Sequence, residues 1–314
     1  MLEVGAVEGE SFHSDTIGNC LCIDRIEVLR KLQSLERDHH IIYPREKVYY
    51  FDHGKIREFL YDAIIPELRI EYHGIIGDYL AKAYAEDVRL APGIAHHFLE
   101  AGAEQKALPF LVTAGGSAKA VFANSQAVGF YQKALDILRD AEEAGAQPET
   151  SKHKGTVLEG LGDVLALTGK HDDALACYGE LKSVLSISSP KRADLLWRLG
   201  SVYVSKGENE RALELLDEAA AEYDKSMERA RLDEQLQPTG GKDSGAPELS
   251  ATLGKIKLSR SRVFKALGKY DEAKIEIGEG LKILGIRATL KKELRRTTIS
   301  GTSFSIRATT LKQR

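Results

Sequence analysis

Residues 161–181 read LGDVLALTGKHDDALACYGEL, and residues 199–219 read LGSVYVSKGENERALELLDEA. At a shift of 38, Leu161, Gly162, Leu165, Gly169, Ala174, Tyr178 and Leu181 fall on Leu199, Gly200, Tyr203, Gly207, Ala212, Leu216 and Ala219. Each position keeps an apolar or small residue, with no gap. A shift of 61 from the second copy reaches Phe264, Gly268, Ala273, Ile277 and Gly280. A shift of 67 back from the first reaches Phe98, Gly102, Ala107, Leu111 and Ala114. Ala127, Tyr131 and Ala134 repeat the second half of the unit, with Phe122 standing where its Gly would be.

The physics of the unit is local. Each Gly follows an amphipathic run, where a residue in the left-handed region ends a helix. Three or four polar residues come next, mostly acidic, which suits the positive end of a second helix. Ala then permits close approach of the two helices, and the aromatic or aliphatic residue four positions on faces the same seam. The product is a helical hairpin whose apolar face is covered only by its neighbours, so hairpins must stack.

The pattern resembles the tetratricopeptide repeat, whose unit is about 34 residues. It is clearest at 155–188 and 193–226 and weaker at 254–287, where Arg260 and Ser261 replace Leu-Gly. It is partial over 85–141. The 61-residue shift implies about 27 inserted residues. A long second helix and a flexible loop at 237–248, marked by Pro238, Gly240, Gly241, Gly245 and Pro247, account for them. The expected fold is therefore all-α, a tetratricopeptide-type superhelix over 85–287.

Residues 1–84 do not repeat. Residues 2–7 read as the end of an apolar helix, and Ser14 or Asp15 caps a short one through Leu21. Asp24 caps a longer helix with Ile26, Leu29, Leu32 and Leu35 on one face. Residues 41–43 and 48–51 are β-prone runs about Pro44, Arg45, Glu46 and Lys47, a hairpin like a wing. Helices follow at 53–65 and 67–84. This is the order of a winged helix over 1–66, with a connecting helix at 67–84.

A more specific resemblance lies in Phe51-x-His53-x-x-Ile56-Arg57-x-x-Leu60-Tyr61, Arg69-x-x-x-His73-x-x-Ile76, Ala95-His96-His97-Phe98-x-x-Ala101-Gly102 and Ala134-Leu135-x-x-Leu138. In this order they resemble the middle of signal-transduction ATPases with numerous domains, the STAND class, in the branch that accompanies adenylate/guanylate cyclase or kinase modules. The resemblance implies a P-loop ATPase domain first, then a winged helix, then repeats that sense a partner. Here the expectation is a chain that starts inside the winged helix and lacks the nucleotide-binding domain.

Composition narrows the function classes. The chain has 314 residues, with 43% hydrophobic and 29% charged, enough for a packed core. Its net charge of -3 carries no global nucleic-acid footprint. That average conceals a tail, 288–314, within a stretch from Arg287 that holds eight Lys/Arg against Glu293, or +7, so the rest is -3 - 7 = -10. The tail is expected to be disordered. Three Cys fit a reducing, cytoplasmic setting. Residues 1–12 do not read as a signal peptide, and no apolar run approaches the roughly 18 residues that a membrane span needs. No P-loop, Gly-x-Ser-x-Gly elbow or His-Glu-x-x-His stretch occurs. Gly115-Gly116-Ser117-Ala118-Lys119 reads as close helix packing. The adjacent pair His96-His97 cannot chelate one ion from a helix.

The leading expectation is a non-catalytic protein-interaction and regulatory module without cofactor, metal or catalytic residues. A protein or peptide partner, an ATPase or cyclase module among the candidates, would lie against the first helix of each hairpin. There Glu159, Asp163, Trp197, Ser201, Lys255, Leu258, Arg262 and Lys265 face away from the Leu/Gly seam. One alternative is a transcriptional regulator contacting DNA through the winged helix. It is disfavoured because 24–47 carry six positive and five negative residues. A second alternative is part of an ATP-binding enzyme whose P-loop domain lies outside this chain.

Overall fold

The computed structural model describes residues 1–84, 87–145, 151–184, 191–236 and 246–284. It is predominantly helical, with fourteen α-helices and one three-stranded sheet among the described residues. Contacts divide the chain into two compact units, Met1–Lys170 and His171–Arg314. Among the described residues no helix is long and apolar enough to cross a membrane. The basic tail and residues 237–245 of the expected loop lie outside the described residues.

The first unit opens with α1 (Leu2–Glu8), β1 (Ser11–His13), α2 (Ser14–Leu21), α3 (Arg25–His39), β2 (Ile42–Arg45) and β3 (Val48–Phe51). The Asp24 side chain accepts from the Ile26 N–H at 2.8 Å and starts α3 as expected. The buried face of α3 differs from the expectation. Val28 and Leu32 are buried, while Ile26 is 61% exposed. The helix therefore packs through a face about one residue further round than the Ile/Leu spacing suggests. Strand β3 is central, antiparallel to both others, with Phe12 opposite Tyr49 and Ile42 opposite Phe51. The β1 strand was not expected. Its Phe12 is fully buried, 5.0 Å from the Phe51 ring.

Then come α4 (Gly54–Asp62), α5 (Pro66–Ala83), a 3-10 turn at Val88–Leu90, α6 (Ala91–Glu100), α7 (Glu104–Ala120), α8 (Asn124–Glu143) and α9 (Ser151–Leu167). Helices α5 to α9 pack as sequential neighbours. Ala107, Leu111, Ala114, Ala127, Tyr131 and Ala134 are all buried, as their shared place in the repeat requires. Tyr131 of α8 sits between two glycines. A Cβ on Gly115 of α7 would come within 2.8 Å of its ring, and one on Gly160 of α9 within 2.6 Å of its hydroxyl oxygen. The Gly115-Gly116 pair thus allows helix contact.

The second unit holds α10 (His171–Val184), α11 (Lys191–Lys206), α12 (Asn209–Leu236), α13 (Ala246–Ala266) and α14 (Tyr270–Ile283). Pro247 falls within the first turn of α13, where its missing N–H costs nothing. Residues 246–248, expected in the loop, are therefore helical. Helix α11 packs on α12 and α13, and α13 packs on α14. Leu196, Ala212, Leu216, Ala219, Ile256 and Val263 form the shared core.

The turns repeat one design. Gly102, Gly169, Gly207 and Gly268 have φ of 67°, 80°, 80° and 76°. The residue after each closes a six-residue hydrogen-bonded loop, as in Lys170 N to Leu165 O at 2.9 Å and Lys269 N to Phe264 O at 2.8 Å. Phe122, in the place of the missing Gly, takes the same conformation at φ 60°, and Ala123 N bonds Ala118 O at 2.9 Å. The repeat dictates the backbone there even against the side chain.

Candidate functional site

Two helices build the most organised surface of the second unit. On α11, Asp194, Trp197 and Ser201 share a face by their 3- and 4-residue spacing. The internal shift of 61 carries these positions to Lys255, Leu258 and Arg262 on α13. The buried Ser259 lies between the helices. Trp197 Nε1 donates to Ser259 Oγ at 3.0 Å, and Ser201 Oγ is 3.2 Å from the same oxygen. Either hydroxyl of the Ser201–Ser259 pair can donate to the other. Trp197 is half-buried, and its indole N–H is taken by Ser259.

Charges surround that ring. Asp194 accepts from Arg198 Nε at 2.7 Å, and its other oxygen is 3.6 Å from Lys255 Nζ and 3.5 Å from Thr252 Oγ1. Lys255 Nζ is 4.7 Å from the Trp197 ring centroid, and the Arg198 guanidinium is 5.7 Å from it. Arg262 is exposed, with no ion-pair partner among the described residues. Lys265, one turn on, is also exposed. Leu258 is half-buried and turned to the α14 side, 3.2 Å from where a Gly280 Cβ would sit.

The structure thus brings Trp197, Ser201 and Lys255 together around Ser259, with Arg262 on the same helical stripe. Glu159 and Asp163 belong to the first unit. Both are half-buried on α9, and Asp163 is ion-paired with Lys119 of α7. Burial first, then the charges of Asp163 and Glu159, raise the Tyr131 hydroxyl above its ordinary value.

Sequence reasoning missed Ser259 and Asp194, because their contacts with Trp197 and Lys255 cross the insertion, and it missed Arg198, an i,i+4 partner of Asp194 within α11. It also missed a buried polar chain in the first unit. His97 pairs with His73 of α5, not with its neighbour His96, and the two Nδ1 atoms are 2.9 Å apart. His73 Nε2 meets the Tyr61 hydroxyl at 3.2 Å. The Nδ1–Nδ1 bond needs one ring to donate and the other to accept, and the donor and acceptor roles along the chain follow the tautomers. Burial, then the charges of His96, Arg69 and Arg57, push His73 down to about 4. Burial, then the charges of His73 and His96, push His97 down to about 3. Among the described residues no group of three or more His, Cys, Asp or Glu is arranged to hold a metal ion.

No protein-family model matches the chain, and no curated protein matches it. Similarity to solved structures is loose. BtubC from P. vanneervenii is 16% identical, covering 83% of this chain and 93% of that one, with a TM-score of 0.45. A signal transduction ATPase with numerous domains and a tetratricopeptide repeat sensor, from Pyrococcus horikoshii, is 12% identical over 95% of this chain, with a TM-score of 0.44. This chain spans 48% of that protein's length. The apo quorum sensor NprR from B. thuringiensis is 14% identical, covering 83% of this chain and 85% of that one, with a TM-score of 0.27. At these scores the likenesses carry no weight for what the chain does.

Proposed function

We propose that this chain is a non-catalytic interaction and regulatory module. Its tetratricopeptide-type hairpins would form a superhelix that takes a protein or peptide partner on the α11–α13 face. The observation that carries this is the hydrogen-bonded, half-buried Trp197 beside the half-buried cations Lys255 and Arg198. An aromatic side chain already tied by a hydrogen bond loses less entropy on binding and is a common anchor at interfaces.

The first 66 residues are read as a winged helix that packs within a larger signalling protein of the STAND class. The order α1–β1–α2–α3–β2–β3 and the strand order β1–β3–β2 support this. The DNA-binding alternative is weaker. On α3, Lys31 is paired with Glu27 at 2.7 Å and Arg25 with Asp15 at 3.2 Å, so two of its cations are already engaged. The thiols of Cys20 and Cys22 suit a reducing, cytoplasmic setting.

The test is a peptide-display selection on the full chain, counter-selected with Trp197→Ala. The expected result is binders that lose at least tenfold in affinity in that variant while its circular dichroism at the assay temperature shows it still folded. Binders indifferent to Trp197 would sink the assignment of the face. A melting-temperature rise with ATP or GTP alone would sink the non-catalytic reading.

A further inference from the structure

We propose that the place where α4 leads into α5 binds a phosphate monoester, held by Arg57 and Arg69 beside the Tyr61 ring. The site lies in the first unit and does not depend on the α11–α13 face.

The fold positions both arginines. Arg57 is four residues before Tyr61 on α4, so the two share a helical face. Its Nε donates to the Ala6 carbonyl of α1 at 3.0 Å. Arg69 of α5 donates from Nη2 to the Ile64 carbonyl, also at 3.0 Å. Their guanidinium carbons stand 5.8 and 4.3 Å from the Tyr61 ring centroid. Tyr61 is tied at its far end, where its hydroxyl meets His73 Nε2 at 3.2 Å. Arg57, Tyr61 and Arg69 are all half-buried.

The counter-charge is missing. Among the described residues both arginines bond only carbonyls, and neither has an ion pair. Each guanidinium carries five N–H donors, so most remain unused. Arg69 Nε is buried and has no hydrogen-bond partner. A partly buried cation with an orphaned donor is costly until an anion meets it. Neighbouring carboxylates are engaged with other cations. Glu58, next to Arg57 in the chain, pairs with Lys55 at 2.5 Å, and Asp78 of α5 with Lys106 at 2.8 Å. The imidazoles beyond the ring supply no negative charge. After burial and His96, the charges of Arg69 and Arg57 help hold His73 down, as an uncompensated positive field does.

Two full charges at one ring select the ligand. A phosphate monoester carries about -1.5 to -2 near neutral pH, which answers both guanidiniums. A carboxylate or a phosphodiester carries a single charge and leaves one arginine uncompensated. Guanidinium N–H groups also match phosphate oxygens in geometry.

The experiment titrates the full chain at pH 8 and fixed ionic strength with methyl phosphate, dimethyl phosphate and acetate, read by calorimetry and imidazole NMR. Methyl phosphate is expected to bind saturably and to move the His73 signals. The two singly charged anions should bind at least tenfold more weakly. Arg57→Gln and Arg69→Gln should each lower methyl phosphate affinity at least tenfold, while Lys133→Gln on α8 leaves it unchanged. Arg69→Gln also gives up the Ile64 bond, so if circular dichroism shows it unfolded, Arg57→Gln decides. A seven-residue peptide with a central phosphoserine separates the sources. Binding at least tenfold tighter than methyl phosphate assigns a phosphorylated chain, and equal or weaker binding assigns a free phosphorylated small molecule. The proposal is overturned by an absence of saturable methyl phosphate binding, or by equally tight acetate or dimethyl phosphate. It is also overturned by an affinity that Arg57→Gln leaves unchanged or that Lys133→Gln lowers as much.

Discussion

Acid should loosen the first unit through two imidazoles. His73 and His97 are buried, and the hydrogen bond between their Nδ1 atoms needs at least one of them neutral. In the unfolded chain each titrates near 6.5, whereas in the fold burial holds them down to about 4 and about 3. Between those limits the unfolded chain binds more protons than the folded one, so stability rises with pH and is lost as pH falls below 6.5. At pH 5 each imidazole is kept neutral about 1.5 pH units below its ordinary titration point, which costs about 2 kcal/mol. The two together cost about 4 kcal/mol relative to pH 8, a large part of an ordinary domain's stability. This figure depends only on both groups titrating well below 5 in the fold. Other charges face the pair, namely Arg57 and Arg69 from α4 and α5 and the exposed His96 from α6, and all oppose a second proton. The assay is urea unfolding at pH 8 and pH 5 of the natural chain and of His73→Gln/His97→Gln. The double variant should be weaker at pH 8, yet should lose about 4 kcal/mol less on acidification. Equal losses in both proteins would refute the mechanism. So would imidazole NMR titrations of His73 and His97 with midpoints near 6.5.

Three further outcomes follow from named contacts. Phe122 is 61% exposed and held at φ 60°, so Phe122→Gly relieves a left-handed strain while losing little burial, and should stabilise by about 1 kcal/mol in chemical unfolding. Gly160→Ala drives a methyl group into the Tyr131 hydroxyl and should destabilise by about 1–3 kcal/mol, read as a lower melting temperature. Ser259→Ala removes the acceptor from Trp197 Nε1 and should cost about 1 kcal/mol, with a shift of the Trp197 emission maximum. An unmoved spectrum would contradict the bond.

The hairpin turns were legible because they depend on one residue at a time. A Gly after an amphipathic run signals a left-handed backbone, and all four expected glycines adopt one. Phe122 goes further, since the spacing alone located a turn that its own residue type argues against. The Ala and aromatic positions were legible for a related reason, because helix contact needs a small residue at a fixed distance from the turn. Long-range features left no such mark. Three residues of β1 are too few for an alternating pattern, and the partner strand β3 begins only at Val48. The face of α3 was misjudged because Ile26 and Leu29 are apolar but exposed. His73 and His97 are 24 positions apart, and Trp197 and Ser259 are 62 apart across the inserted stretch, so no local period connects them. The candidate residues could be placed on helix faces, but the hydroxyl that holds Trp197 could not be found from the chain.

The seat of Tyr131 between Gly115 and Gly160 has an evolutionary consequence. Three positions on three helices are compatible only in combination. With tyrosine present, a methyl group at either glycine is harmful. Once a smaller residue replaces the tyrosine, the same methyl group fills the space left behind. The sign of a mutation at 115 or 160 therefore depends on what stands at 131, a case of sign epistasis. Sequence change here must proceed in order, through position 131 first. In descendants of this chain the three sites should vary together or not at all, although they lie up to 45 residues apart.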